Sequence, residues 1–368
     1  MIRFRKGERL NSLTLATFLV LFFSGASTQA QGLNRADLID RLLNDCHEKG
    51  IFNGTALIAD EGEIVLESAY GLKNIQTAAP LDSKDKFYIG SITKQFTSML
   101  IFQLYDQQRL NIYAPFCNYL PEFKAPPFSE ITVYQLLTHT SGIKNFTSFS
   151  EFDASADISE AEMFEMIKRP LSFTPGTNFE YSNSGYYLLG KIIERMSAKT
   201  FGEALEENIF GPLKMENSGF DTVFHYTNFA RGYWRTIDGM APMPQYEPKT
   251  LFSTGGIYST VGDLFKWNQA LYESQLLSDS AKKIMFEPFK NDYACGWRVH
   301  KGYDDNGEYF ERHQHGGTIK GYHCFILRRI PEKQTVILLD NFYDQEIQEI
   351  KNAIWTILID RKGHIPQA

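Results

Sequence analysis

Cysteine is scarce in this chain of 368 residues: four occur, Cys46, Cys117, Cys295 and Cys324, at wide and irregular spacings. That excludes a dense disulfide framework and the zinc motifs built on closely spaced cysteines. Cys295 and Cys324 lie in apolar segments that read as neighbouring strands, which leaves a disulfide as an alternative; buried free thiols are the expected state. Positive charge is also in short supply. Lys and Arg number 37 against 44 Asp and Glu, and no run of like charge stands out beyond the first ten residues. A nucleic-acid partner is therefore not expected, because neutralising phosphates takes a concentrated basic face. The G-x-S-x-G elbow, H-E-x-x-H and phosphate-binding glycine loops are missing, as are internal repeats and low-complexity tracts.

What is present is a globular composition, 43% hydrophobic and 14% aromatic, in a chain long enough to bury a substantial core. Arg3, Arg5, Lys6 and Arg9 precede the apolar run 13–23 and the small-residue stretch Thr28-Gln29-Ala30. This pattern predicts a signal peptide over 1–30, cleavage before Gln31 and an exported protein, secreted or periplasmic. The apolar run is shorter than the roughly 20 residues of a spanning helix, and no later segment is long and apolar enough to span a membrane.

Periodicity predicts a helix over 34–49, then strands over 54–60 and 63–70 joined by a turn at Glu61-Gly62. A helical stretch follows over 91–110. Thr132 reads as the cap of a short helix ending near Thr138, and Ser159 with Glu162 as a capping box for a helix to Arg169. Helices are expected over 184–196, 201–209, 260–272 and 279–286. The aromatic, Pro- and Gly-mixed segment 221–254 reads as long loops or short strands lining a cleft. Strands return over 295–301, 309–314, 322–329 and 335–341, and a last helix covers 345–360. This order is not the alternation of a doubly wound sheet. It predicts an α+β domain over 31–368, with an antiparallel sheet from both chain ends and a mostly helical insertion at about 91–290 beside it.

Ser91-Ile92-Thr93-Lys94 carries the chemistry. Ser and Lys at i and i+3 share one helical face, a helix start favours developing negative charge, and a desolvated lysine can take the proton of a serine nucleophile. Alone, the pattern equally describes a capping serine and a solvated lysine. Tyr181-Ser182-Asn183 runs from a loop into a helix, offering a phenol for proton transfer and an amide to fix lysine and substrate. His315-Gly316-Gly317-Thr318 is placed at a strand end, where the glycines admit substrate and the Thr318 N–H joins the Ser91 N–H as an oxyanion hole. His315 is expected to reach a substrate carboxylate or the serine and tyrosine hydroxyls. A zinc site at His313, His315 and His323 lacks further ligands, and His139 is read as packing or capping its loop.

Together these motifs resemble, in order, the S-x-x-K, Y-x-N and Lys- or His-headed Gly triplet of serine hydrolases related to class C β-lactamases and D-Ala-D-Ala carboxypeptidases. The stretches 136–143, 174–176, 253–256 and 259–264 are also similar. The resemblance, over about 52–341, implies a helix-flanked antiparallel sheet, Ser91 as acylated nucleophile, Lys94 and Tyr181 as proton-transfer partners, and Asn183 and His315 as positioning groups. It implies no metal or organic cofactor. Where those β-lactamases resemble one another in Lys-Thr-Gly, this chain has His315-Gly316-Gly317 and so lacks a fixed charge, since a histidine at its ordinary pKa of ~6.5 is only partly protonated at neutral pH. The expected substrate is a peptide or other small molecule, cleaved in the manner of a D-alanyl-D-alanine carboxypeptidase. The alternatives are a carboxylesterase, a β-lactamase, or a sensor that binds β-lactams or peptidoglycan stems without turnover.

Overall fold

The computed structural model describes residues 34–359, except 221–227, 238, 244–247, 304–306 and 344–346. The expected signal segment 1–30, and parts of the expected cleft segment 221–254, lie outside the described residues.

The sheet has six antiparallel strands: β1 (Gly54–Asp60), β2 (Glu63–Tyr70), β3 (Arg298–Tyr303), β4 (Tyr309–Ile319), β5 (Tyr322–Arg329) and β6 (Gln334–Asp340). Their spatial order is β2-β1-β6-β5-β4-β3, so β1 pairs with β6 and the two chain ends close one sheet. Glu61 and Gly62 both take positive φ, 54° and 87°, which suits the tight turn between β1 and β2. The α+β architecture with an antiparallel sheet is the one expected.

The principal helices are α1 (Arg35–Glu48), α2 (Thr93–Asp106), α3 (Glu160–Ile167), α4 (Asn183–Ser197), α5 (Val261–Ala270), α6 (Asp279–Met285) and α7 (Ile347–Ile359). Side chains alternate across a strand, and here both faces are covered. Ala56, Ile58, Phe325, Leu327, Val336 and Leu338 face α1 and α7. Leu57, Ala59, Cys324, Ile326, Ile337 and Leu339 join the larger core under the other helices. Covering both faces explains why these strands read as nearly continuous apolar runs. The capping boxes at Thr132 and at Ser159 with Glu162 form as expected.

Two expectations are corrected. Cys295 precedes β3 instead of lying in it, although all four cysteines are the buried free thiols expected. The fourth strand does not stop at Gln314 but continues to Ile319, so the His315-Gly316-Gly317-Thr318 segment is strand and not the start of a turn. Glycine is usually unfavourable inside a strand; here it permits a close approach, described below. Among the described residues, no helix is long and apolar enough to cross a membrane. Within 221–254, the described part holds a hairpin, Tyr233–Thr236 with Gly239–Pro242, and the helical segment Pro248–Gly255.

Candidate active site

β3 pairs with β4 only as far as Gln314. The remaining edge of β4 is taken by a 3-10 turn, Gly90–Ile92, which leads into α2. A Cβ on Gly317 would fall 1.8 Å from the Ile89 carbonyl oxygen, so only glycine lets the turn lie this close. Gly90, at φ 52°, sits where a Cβ would be 3.0 Å from the Thr318 amide nitrogen. The Thr318 N–H is thus brought beside the Gly90-Ser91 backbone, the arrangement an oxyanion hole requires.

Ser91 makes no capping bond, the turn being entered from Ile89, and Lys94 is fully buried, so the reading of capping serine and solvated lysine fails. The Lys94 ammonium position is fixed by three groups: Asn183 Oδ1 at 2.8 Å, the Thr254 carbonyl at 2.7 Å and Ser91 Oγ at 3.1 Å. Among the described residues no carboxylate pairs with it. The rings of Tyr181 and Tyr186, at 5.0 and 5.5 Å, add a modest cation–π attraction. Burial wins and lowers the Lys94 pKa well below the ordinary lysine value. As a neutral amine, Lys94 spends its two N–H bonds on acceptors that cannot donate, Asn183 Oδ1 and the Thr254 carbonyl. Its lone pair then faces the Ser91 hydroxyl.

Two straps hold this geometry. The segment 253–257 clamps the start of α2, with Thr97 Oγ1 donating to the Ser253 carbonyl (2.7 Å) and the Ile257 N–H to Thr93 Oγ1 (3.2 Å). Next to it, Phe252 has φ 42°, a strained value for a side chain with a Cβ. Its ring is packed against Tyr187, Phe201 and Phe220. On the other side, Asn183 is the first residue of α4, and its amide donates to Thr147 Oγ1 at 3.2 Å.

Tyr181 packs on His139, ring centroids 4.2 Å apart, and His139 Nδ1 accepts the Ser182 N–H at 3.1 Å. His139 therefore anchors the tyrosine loop, as packing and loop-capping demand. The Tyr181 hydroxyl is buried without a hydrogen bond of normal geometry, although it lies close enough to Ser91 to feel it. Burial pushes its pKa up, with Ser91 and then the Arg298 charge opposing. The phenol keeps its proton and suits a donor role better than that of the first base.

His315 is corrected on charge. Its Nδ1 is 2.6 Å from the Gly316 carbonyl, which can only accept, so Nδ1 carries the hydrogen. Nε2 then accepts from the Tyr293 hydroxyl at 3.2 Å. Burial first, then the neighbouring Lys94 position, holds the His315 pKa down at about 3. The side chain presents no charge to a substrate at neutral pH, and both ring nitrogens are engaged. We expect the His315 imidazole resonances to stay fixed between pH 8 and 5 in an NMR titration; a midpoint near 6.5 would contradict this environment.

Sequence reasoning did not find the Thr254 carbonyl, Thr147 or Tyr293. The Ser253-Thr254-Gly255-Gly256 run was the available signal for the first; the others had none. Among the described residues, no group of three or more His, Cys, Asp or Glu side chains converges to hold a metal. His313 and His323 sit at separate register positions, opposite Arg328 and Thr318.

A family model described as Beta-lactamase matches residues 36–339. Among curated relatives, Penicillin-binding protein 4* of Bacillus subtilis (strain 168) is 28% identical over 87% of this chain and 74% of its own length. Protein flp of Staphylococcus aureus (strain MW2) is 27% identical over 89% of this chain and 67% of its own. Among solved structures, D-amino acid amidase from Ochrobactrum anthropi SV3 superposes with TM-score 0.78 at 21% identity, covering 88% of this chain and 99% of that one. A penicillin-binding protein from Bacillus halodurans gives 0.74 at 24%, covering 86% and 99%. At such identities the structures speak for the fold alone.

Proposed function

The chain belongs to the Beta-lactamase family and is a serine hydrolase; from that premise we propose that it is an exported amide hydrolase cleaving short peptides that end in D-amino acids, in the manner of a D-alanyl-D-alanine carboxypeptidase. The observation that carries the mechanism is the buried, carboxylate-free Lys94, 3.1 Å from Ser91 Oγ. Neutral Lys94 takes the Ser91 proton as Oγ attacks the carbonyl, and the N–H groups of Ser91 and Thr318 receive the developing oxyanion. Tyr181 lies beside the reacting hydroxyl and delivers a proton to the leaving amine, Lys94 restoring it. Water then attacks the acyl-enzyme by the reverse route.

Several properties of relatives support the peptide reading. Curated relatives carry penicillin-binding names, and D-amino acid amidase shares the fold. Since His315 is neutral, recognition of a free carboxylate falls to another cation. Arg298 supports that role: its guanidinium is 5.9 Å from the centroid of Tyr293, the ring whose hydroxyl meets His315. Replacing Arg298 by Ala is expected to raise KM about tenfold or more for a D-Ala-D-Ala-ended peptide, a charge-assisted contact being worth ~1.5–3 kcal/mol. The C-terminally amidated peptide should be unaffected. Steady-state kinetics on the pair decide it: equal loss on both peptides removes Arg298 from carboxylate recognition, and no turnover of either, with turnover of a short-chain ester, replaces the peptidase reading by the esterase.

A further inference from the structure

On the face of the sheet that carries His315, but one alternation away along β4, His313 and its cross-strand partner Arg328 line a cavity of about 410 Å³. Arg328 is buried to 1% exposure, yet among the described residues it pairs with no carboxylate, and its Nε has no hydrogen-bond partner. Its guanidinium lies on the Tyr272 ring, 4.2 Å from the centroid. The Glu311 carboxylate acts on this charge only through space, behind burial and the Tyr272 contact, and a buried charge without a direct counter-ion is costly. Exposed Lys283 lines the same cavity and makes no ion pair among the described residues, whereas Lys282 and Lys301 are paired with Asp279 and Glu287.

His313 supplies the second polar feature. It is buried to 3% exposure, and its Nε2 meets Glu311 Oε1 at 2.8 Å, so the hydrogen sits on Nε2 and Nδ1 is a free acceptor. Its ring stacks on Phe286, centroids 4.6 Å apart. The lining thus holds a planar cationic donor, a buried, unpartnered imidazole acceptor and two aromatic walls, with the carboxylates of Asp279 and Glu287 paired to Lys282 and Lys301 and that of Glu311 bonded to His313.

We propose that this cavity is a binding site for a small hydroxylated oxyanion, its carboxylate or phosphate held by Arg328 and Lys283 and its hydroxyl donated to His313 Nδ1. The guanidinium fork matches either anion, the acceptor selects for the hydroxyl, and the volume is in the range of small-molecule sites.

The test is isothermal titration calorimetry with lactate, propionate and inorganic phosphate. It uses the Arg298→Ala protein, so that the cleft does not contribute a second anion site. Saturable binding of lactate, with propionate weaker because it lacks the hydroxyl, is expected. Phosphate binding as tightly as lactate would assign the site to phosphate-bearing ligands. Arg328→Met removes the charge but keeps the volume of the buried chain, and is expected to weaken binding at least ~10-fold. Lys283→Ala, on the surface, should give a smaller loss in a protein that folds normally. No saturable heat with any of the three anions, or unchanged binding in both variants, would overturn the proposal. Lactate and propionate binding equally would remove His313 from it.

Discussion

Replacing Lys94 by Met is expected to lower kcat/KM by about three to four orders of magnitude, the range a positioned general base supplies. The substitution keeps an unbranched chain in a buried slot, so it separates the loss of the amine from the opening of a cavity. Arg at the same position should not rescue, because a guanidinium does not give up its proton in proteins. The sign of the pH dependence follows from the same group. Burial lowers the Lys94 pKa, so the neutral, proton-accepting form persists to lower pH than in an ordinary lysine, and kcat/KM falls as pH drops through the lowered value. Pre-steady-state acylation measured from pH 5 to 9 checks this. A rate that is flat with pH, or a Met variant within tenfold of the parent, would exclude Lys94 as the base.

Gly317→Ala is expected to damage both stability and catalysis. The added methyl would fall 1.8 Å from the Ile89 carbonyl, and backbone cannot swing aside as a flexible side chain does. Overpacking of this kind costs about 1–3 kcal/mol. Relief requires β4 to separate from the Gly90–Ile92 turn, which carries Thr318 N–H away from Ser91 and removes one oxyanion donor, worth about 10²–10³ in kcat. Gly262→Ala is the control. A Cβ there meets nothing within 4 Å, and in helix α5 the change should leave activity intact. Thermal unfolding and kcat measured on both variants make the comparison; full activity in Gly317→Ala would show that the close approach does not position the hole.

Sequence made the nucleophile legible because a one-turn spacing is a local property: Ser91 and Lys94 meet whatever else the chain does. Tyr181 and Asn183 were readable for the same reason, as neighbours on one loop-to-helix junction. The apolar, β-branched and aromatic runs of β1, β5 and β6 likewise marked the strands of the sheet. What sequence concealed was contact between distant segments. The Thr254 carbonyl that binds Lys94 is a backbone atom, with no identity to read. Tyr293, 22 positions away, engages the Nε2 of His315, so the neutral state of that histidine appears only once both are buried together. The two glycines after His315 looked like the end of a strand by propensity, yet the ladder to β5 overrides it through Ile319.

The central claim is that Ser91 is the acylated nucleophile and Lys94 its base. Intact-protein mass spectrometry after exposure to a fluorophosphonate tests it most directly, comparing the wild type with Ser91→Ala and Lys94→Met. The account predicts a single adduct on the wild type, mapped to Ser91, none on Ser91→Ala, and slow formation on Lys94→Met. Equal labelling of Ser91→Ala, or an adduct on another residue, would contradict it.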